Sequence, residues 1–316
     1  MNIPKKQKVL YILGYSRSGS TILNIMLGNI DSMFSAGEIN NYLKSAWIND
    51  HYCSCGKTAS ECEFWPTVKK SMEKSLQIDP TEIISISQKL ENWRDLVRAG
   101  FSKTDERKAR QEKYDRFNSE LITTISELQK KEWVVDASKS PVRLNYLVES
   151  DALDCSAVHI VRDPRGVCWS LMKATRKNVE AGVQTDLPSV SYIATIKSLY
   201  LNAALAERVK RKIPTKQLLV RYDDLTNSPT ETIEAIGSML KTDTSSLLKL
   251  VESDESFQQE HNIAGNRLRM KRDIKLRHEQ SWKGELPTFQ FFVITLLTLP
   301  LLLKYKFPLN RRLSVD

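Results

Sequence analysis

Four short apolar runs interrupt an otherwise polar chain, at residues 9–13, 133–135, 157–161 and 217–220. Continuous apolar runs of this length, each bounded by a turn or a helix start, predict strands buried inside a sheet. Longer stretches lie between them. Residues 63–76 and 81–131 carry many charges and few Gly or Pro, as helices do. Residues 189–211 place Ile193, Ile196, Tyr200 and Ala203 on one helical face. Strand and helix in alternation predict βαβ units and a parallel sheet. Neither a repeat nor a low-complexity linker divides the chain. The expected architecture is α/β: one domain over residues 1–316, with a helical insertion at about residues 40–130.

Composition narrows the function classes. The chain has 316 residues, of which 41% are hydrophobic, enough for a sizeable core. A net charge of +9 suits an anionic ligand without choosing among nucleotide, nucleic acid and membrane headgroup. The most charged stretch, 103–116, mixes both signs and reads as a solvated helix face, so nucleic acid is not expected. Residues 9–13 are too short for a signal-peptide core, which predicts a cytoplasmic protein whose five cysteines need no disulfides. The apolar segment 289–303 falls short of the roughly 20 residues of a bilayer span and contains Pro300. It reads as a buried core helix. The alternative is peripheral membrane contact, flanked by Lys304, Lys306, Arg311 and Arg312.

The first apolar run leads into Gly14-Tyr15-Ser16-Arg17-Ser18-Gly19-Ser20-Thr21 and then an apolar helical stretch. A glycine-bearing turn between strand and helix directs backbone N–H groups and a helix N-terminus at an anion. The spacing is that of G-x-x-x-x-G-K-[ST], except that Ser20 stands in the lysine position. Arg17 supplies the cation instead, and its fork suits phosphate or sulfate oxygens. The loop resembles the 5′-phosphosulfate loop of sulfotransferases that use 3′-phosphoadenosine 5′-phosphosulfate (PAPS). That resemblance implies that Arg17, Ser18, Gly19, Ser20 and Thr21 cradle the donor, that the product is PAP, and that no metal is required. It also implies the three-layer, P-loop NTPase-like sulfotransferase fold.

A second candidate anion site follows the run at 157–161. Arg162 ends the strand, Asp163 is a good helix N-cap, and Pro164 fits the first turn. Ser170 lies about two turns along that helix. The segment resembles the family's 3′-phosphate motif, with Arg162 and Ser170 in the matching positions. Phe34-Ser35-Ala36-Gly37-Glu38 resembles the segment in which the family places a glutamate base, which makes Glu38 the candidate catalytic base. Asp136-Ala137-Ser138-Lys139 resembles the segment whose lysine faces the donor's bridging oxygen. The residues alone leave open a helix-starting glutamate and a capped turn before Pro141. A third stretch, from His261 to Arg269, resembles the family's H-x-x-x-G-N-x-x-R loop. By that resemblance Asn266, Arg267 and Arg269 would close over the nucleotide, although Arg267 replaces a customary proline. Arg221-Tyr222-Asp223-Asp224-Leu225 also matches a family segment and is read as structural.

His51-Tyr52-Cys53-Ser54-Cys55-Gly56, followed by Cys62 and Phe64-Trp65, fits zinc badly, because zinc sites use paired C-x2–4-C spacings and this is C-x-C with one further cysteine. No metal site is therefore expected. The stretch resembles an insertion of some bacterial sulfotransferases that lies near the acceptor side, its cysteines disulfide-linked or free. Cys155 and Cys168 read as core. The expected activity is transfer of a sulfuryl group from PAPS to a hydroxyl or amine, on a carbohydrate, a lipid-linked acceptor or a small molecule. The acceptor pocket is expected from residues 40–130 and 172–200, where Tyr42, Trp47, Trp65 and Trp93 would form either a stacking wall or core. Competing readings are a P-loop kinase and a non-catalytic nucleotide-binding or membrane-surface protein.

Overall fold

The computed structural model describes residues 6–77, 79–94, 104–178 and 186–311. Among them, five strands form one sheet: β1 (Gln7–Gly14), β2 (Met33–Ser35), β3 (Trp133–Lys139), β4 (Leu153–Val161) and β5 (Gln217–Arg221). Their order is β2-β3-β1-β4-β5, and every pairing is parallel. β1 is central, and side chains alternate between its two faces. Val9, Tyr11 and Leu13 enter one core, whereas Leu10 and Ile12 enter another. Burial on both faces explains why the strands read as unbroken apolar runs. The strands at 9–13, 133–135, 157–161 and 217–220 are borne out with longer ends. β2 had not been picked out, because three residues carry too little pattern.

Helices cover both faces of the sheet. α1 (Ser20–Leu27) crosses from β1 to β2 and packs against Leu10 and Ile12. On the opposite face lie α2 (Trp65–Ser75), α3 (Pro80–Leu90), α4 (Asp105–Gln129), α5 (Pro141–Val148) and α7 (Tyr192–Lys210). Between α5 and α7, α6 (Pro164–Met172) follows β4. Beyond β5 come α8 (Tyr222–Asn227), α9 (Pro229–Leu240), α10 (Ser245–Glu252), α11 (Trp282–Glu285) and α12 (Thr288–Lys304). The caps are those the sequence offers. Asp79 accepts from Thr81 N–H, Ser140 from Arg143 N–H and Asp163 from Arg165 N–H, each with proline at the first helical position.

Two expectations need correction. The stretch 81–131 is not one helix. α3 stops at Leu90, and Asn92 Oδ1 accepts from Arg94 N–H, so an Asx turn competes with the helix there. Residues 95–103 of that stretch lie outside the described residues. α12 is also not a buried core helix. Phe291, Ile294 and Leu302 pack against α6 and α7, but Phe289, Phe292, Leu296 and Leu303 are 61–76% exposed on the opposite face. No helix among the described residues is long and apolar enough to cross a membrane. Tyr42 and Trp65 are core, Trp47 packs against that core, and Trp93 is exposed.

One buried polar network stiffens the end of β3. Arg143 Nε donates to Asp136 Oδ2 at 3.0 Å, and its Nη1 reaches Asn118 Oδ1 at 2.7 Å and Tyr114 Oη at 3.0 Å. Both ion-pair partners are almost wholly buried. Removing one charge of such a pair leaves the other without compensation. Arg143→Ala should therefore lower the unfolding free energy by about 3–5 kcal/mol in urea denaturation. An unshifted midpoint would mean that the network does not stabilise this edge.

Candidate active site

Four of the five strands end beneath a residue of chemical interest. After β1 the chain turns through Arg17 (φ 68°) and Gly19 (φ 93°), two left-handed residues close together, before α1 begins. Such a turn directs successive N–H groups into one concavity, an anion nest. Glycine is required at Gly19, where a Cβ would lie 2.4 Å from the Tyr222 ring. Ser18 is buried and its hydroxyl donates to Tyr15 O, so this side chain braces the loop. Ser20 and Thr21 open α1 at the nest.

Arg162, at the end of β4, joins this loop directly. Its Nη1 donates to Arg17 O at 3.1 Å, and its guanidinium lies 4.7 Å from the Tyr222 ring centre. The Arg17 guanidinium is pulled below its usual pKa, first by burial and then by repulsion from Arg267 and Arg162. Among the described residues, none of the three forms an ion pair with a carboxylate. Three like charges collected without a counter-ion call for a bound anion. Ser170 lies in α6, half-buried, and its hydroxyl has no hydrogen-bond partner among the described residues. The nest and these donors fit a ligand carrying a phosphate or sulfate group.

The ends of β2 and β3 supply the other half. β3 departs from regular register after Tyr11↔Asp136, Asp136 holds the Ser138 N–H, and Lys139 adopts φ 68°. Lys139 Nζ donates to Glu38 Oε1 at 2.5 Å and to Ala137 O at 3.1 Å. Glu38 is held from behind. Its N–H donates to Ile263 O, its Oε2 accepts from Asn41 Nδ2, and Gly265 leaves room for the carboxylate. Thr21, Gly37, Glu38, Ala137, Gly265 and Arg269 line a small cleft at this point. The geometry is that of a carboxylate and an ammonium poised beside an anion nest.

The loop after Glu260 serves this site differently from expectation. Asn266 caps a short 3-10 turn by accepting from Leu268 N–H, and Arg267 is exposed toward the arginine group. Arg269 turns inward instead. It is 2% exposed, donates to Tyr52 O at 2.7 Å and lines the cleft beside Glu38. Asn262 is a positioning residue that sequence reasoning missed, whereas Tyr222, in a segment read as structural, packs beside Gly19 and under Arg162. Asn262 Oδ1 accepts from Asn24 Nδ2 and Ser35 Oγ, each at 2.8 Å, tying α1 to β2. Nothing local marks the asparagine.

Comparison with known proteins gives the family and the fold. A sulfotransferase family model matches residues 10–246. The chain belongs to the sulfotransferase family. Solved structures of similar fold include a sulfotransferase domain from the curacin biosynthetic pathway. It is 18% identical with a TM-score of 0.51, and the match covers 97% of this chain and all of that one. Sulfotransferase STF9 from Mycobacterium avium is 11% identical with a TM-score of 0.50, covering 98% of this chain and 79% of that one. At such identities these two show the shared fold alone. A comparison with curated proteins returned no match.

The arginine cluster predicts anion-dependent stability. At a sulfate concentration ten times its Kd, stabilisation of about 1.4 kcal/mol is expected. The measurement is thermal melting against chloride at matched ionic strength. Arg17→Ala and Gly19→Ala should lose most of that gain, and a gain unchanged in both would place the anion elsewhere.

Proposed function

We propose that this chain transfers a sulfuryl group from PAPS to a hydroxyl or amine of its acceptor. The observation that carries the reading is the contact of Arg162 with Arg17 at the nest, with Arg267 within electrostatic reach, next to the Glu38–Lys139 pair. The donor supplies a sulfuryl group activated by its bond to phosphate. Arg17 and the N–H groups through Thr21 hold the 5′ end, while Arg162 and Ser170 hold the 3′-phosphate that distinguishes PAPS from ATP. Glu38 accepts the acceptor's proton as its oxygen or nitrogen bonds to sulfur and the sulfur–oxygen bond to phosphate breaks. Lys139 stabilises the charge left on that phosphate. In the unliganded protein these two side chains neutralise one another, so donor and acceptor would share a charge pair already in place.

The acceptor is proposed to enter the cleft that begins at Tyr15 of the nest and is lined by Trp93, Pro141, Val142, Leu201 and Leu205 together with Glu91, Asn92, Arg94, Ser198 and Asn202. This mixture of apolar walls with polar and charged groups suits an acceptor that combines an apolar body with hydrogen-bonding groups. Nothing in the site supplies the lysine of a kinase P-loop, because Ser20 occupies its place.

Titration calorimetry with PAP in EDTA tests the donor site. Wild type should bind, Arg162→Ala should bind at least about tenfold more weakly, and ATP should not compete. Glu38→Gln should keep PAP binding and lose roughly 10²–10⁴-fold in turnover with labelled PAPS. Absent PAP binding, or Mg²⁺-dependent ATP binding in its place, would overturn the reading in favour of a kinase.

The exposed face of α12 supports a second proposal, peripheral contact with a membrane surface. Phe289, Phe292, Leu296 and Leu303 form one apolar stripe, with Lys306 beside its end, whereas Lys304 is ion-paired with Glu207 at 3.1 Å. Arg311 is not free for that role, since it donates to Lys283 O, Gly284 O and Leu286 O, and Arg312 lies outside the described residues. Flotation with anionic phospholipid vesicles should carry wild type upward and leave Phe292→Asp/Leu296→Asp behind. Wild type remaining at the bottom would remove the proposal.

A further inference from the structure

The cysteine cluster gains a fourth member in three dimensions. Tyr52 and Thr58 form an antiparallel bridge, and the turn between them carries Cys53 and Cys55. Gly56, at φ 89°, closes that turn, with its N–H donating to Cys53 O at 3.0 Å. Cys62 approaches from the segment before α2. His261, 199 residues further on, places Nδ1 3.2 Å from Cys62 Sγ and 3.8 Å from Cys53 Sγ. The ligand atoms of all four residues lie within 4.8 Å of one another.

Those separations suit a tetrahedral ion. With metal–sulfur bonds of about 2.3 Å, two sulfurs in a tetrahedron stand about 3.8 Å apart. The outer shell is also in place. His261 Nε2 faces Glu63 Oε1 at 3.5 Å, the carboxylate–histidine arrangement that orients a metal-binding imidazole. The histidine ring stacks on Phe64, which holds its plane.

A second observation concerns charge. Arg269 is buried, its Nε has no partner, and it forms no carboxylate ion pair among the described residues. An uncompensated buried guanidinium is costly. Arg269 lies within electrostatic reach of Cys53 and of Glu38. Three thiolates and a neutral imidazole on a divalent ion carry a net charge of −1, which would supply the missing counter-charge.

We propose that Cys53, Cys55, Cys62 and His261 form a structural Cys3His site for zinc, which locks the 52–58 hairpin onto the loop beneath Glu38. On binding, each thiol releases its proton to solvent as its sulfur bonds to the metal, so no oxidant is needed. The ion does not reach the sulfuryl-transfer chemistry. Its effect passes through the chain. Ser54, between two of the ligands, exchanges backbone and hydroxyl bonds with Glu260 and Asn262, and Ile263 pairs with Gly37 next to Glu38. The motif was set aside along the sequence on its C-x-C spacing, and its fourth ligand is remote. The inference stands or falls independently of the donor's identity.

The test is metal analysis of full-length protein expressed with zinc and purified without chelator. Wild type should hold about one zinc per chain, with X-ray absorption reporting about three sulfurs at 2.3 Å and one nitrogen near 2.0 Å. A zinc-selective chelator should lower the thermal midpoint of wild type. Cys55→Ser, altered at an exposed position, should fold, lose most of the zinc and no longer respond to chelator; His261→Ala should behave likewise. Less than about a tenth of an equivalent of zinc in wild type would overturn the proposal, whether thiol titration in denaturant finds all five cysteines free or two consumed in a disulfide. Full zinc retention by both variants would overturn the ligand set.

Discussion

Parallel pairing on both sides of β1 is the constraint from which the site follows. In a wholly parallel sheet every strand ends at the same edge, so the residues just after the strands meet there whatever their distance in sequence. Arg17 follows β1, Glu38 follows β2, Lys139 closes β3 and Arg162 follows β4. The chain runs from β1 to one side of the sheet and only later to the other. The crevice at this reversal therefore opens between β1 and β4, where Arg162 donates to the Arg17 carbonyl. Burial of β1 on both faces supplies the rigidity that the site needs.

Charge is treated in two opposite ways on this scaffold. Arg143 with Asp136, and Arg165 with Asp163, are buried and fully compensated, and they fasten helices to strand ends. Arg165 additionally donates to the carbonyls of Pro308 and Leu309, strapping the C-terminal segment over the start of α6. At the nest the pattern reverses. Arg162 and Arg267 repel Arg17, and among the described residues none of the three is ion-paired with a carboxylate, a cost that the compensated pairs and the two cores offset. Destabilised charge of this kind marks a binding surface, because a ligand recovers it.

The insertion has its own mechanical logic. The hairpin at 52–58 reaches the loop at 260–269 through Ser54, Asn262 and Arg269, and this loop forms the rear wall of Glu38. A base must keep its position to within a fraction of an ångström, and a surface loop held only by water would not keep it there. The hairpin is thus coupled to Glu38, the proposed base, through a chain of backbone and side-chain hydrogen bonds.

The sequence by itself determined four of the five strands, the nest and the order of the motifs. Those depend on local physics: apolar runs that must be buried, glycine and left-handed turns, and caps such as Asp163-Pro164. Tertiary structure alone decided the rest, because it depends on which distant residues meet. The pairing of Glu38 with Lys139 required adjacent strand ends, and the inward turn of Arg269 required the Tyr52 carbonyl as its target. The company of Cys53, Cys55 and Cys62 was incomplete until the fold carried His261 to them. The exposure of α12 was likewise invisible, since an apolar segment shows how much can be buried, whereas its neighbours decide which face is.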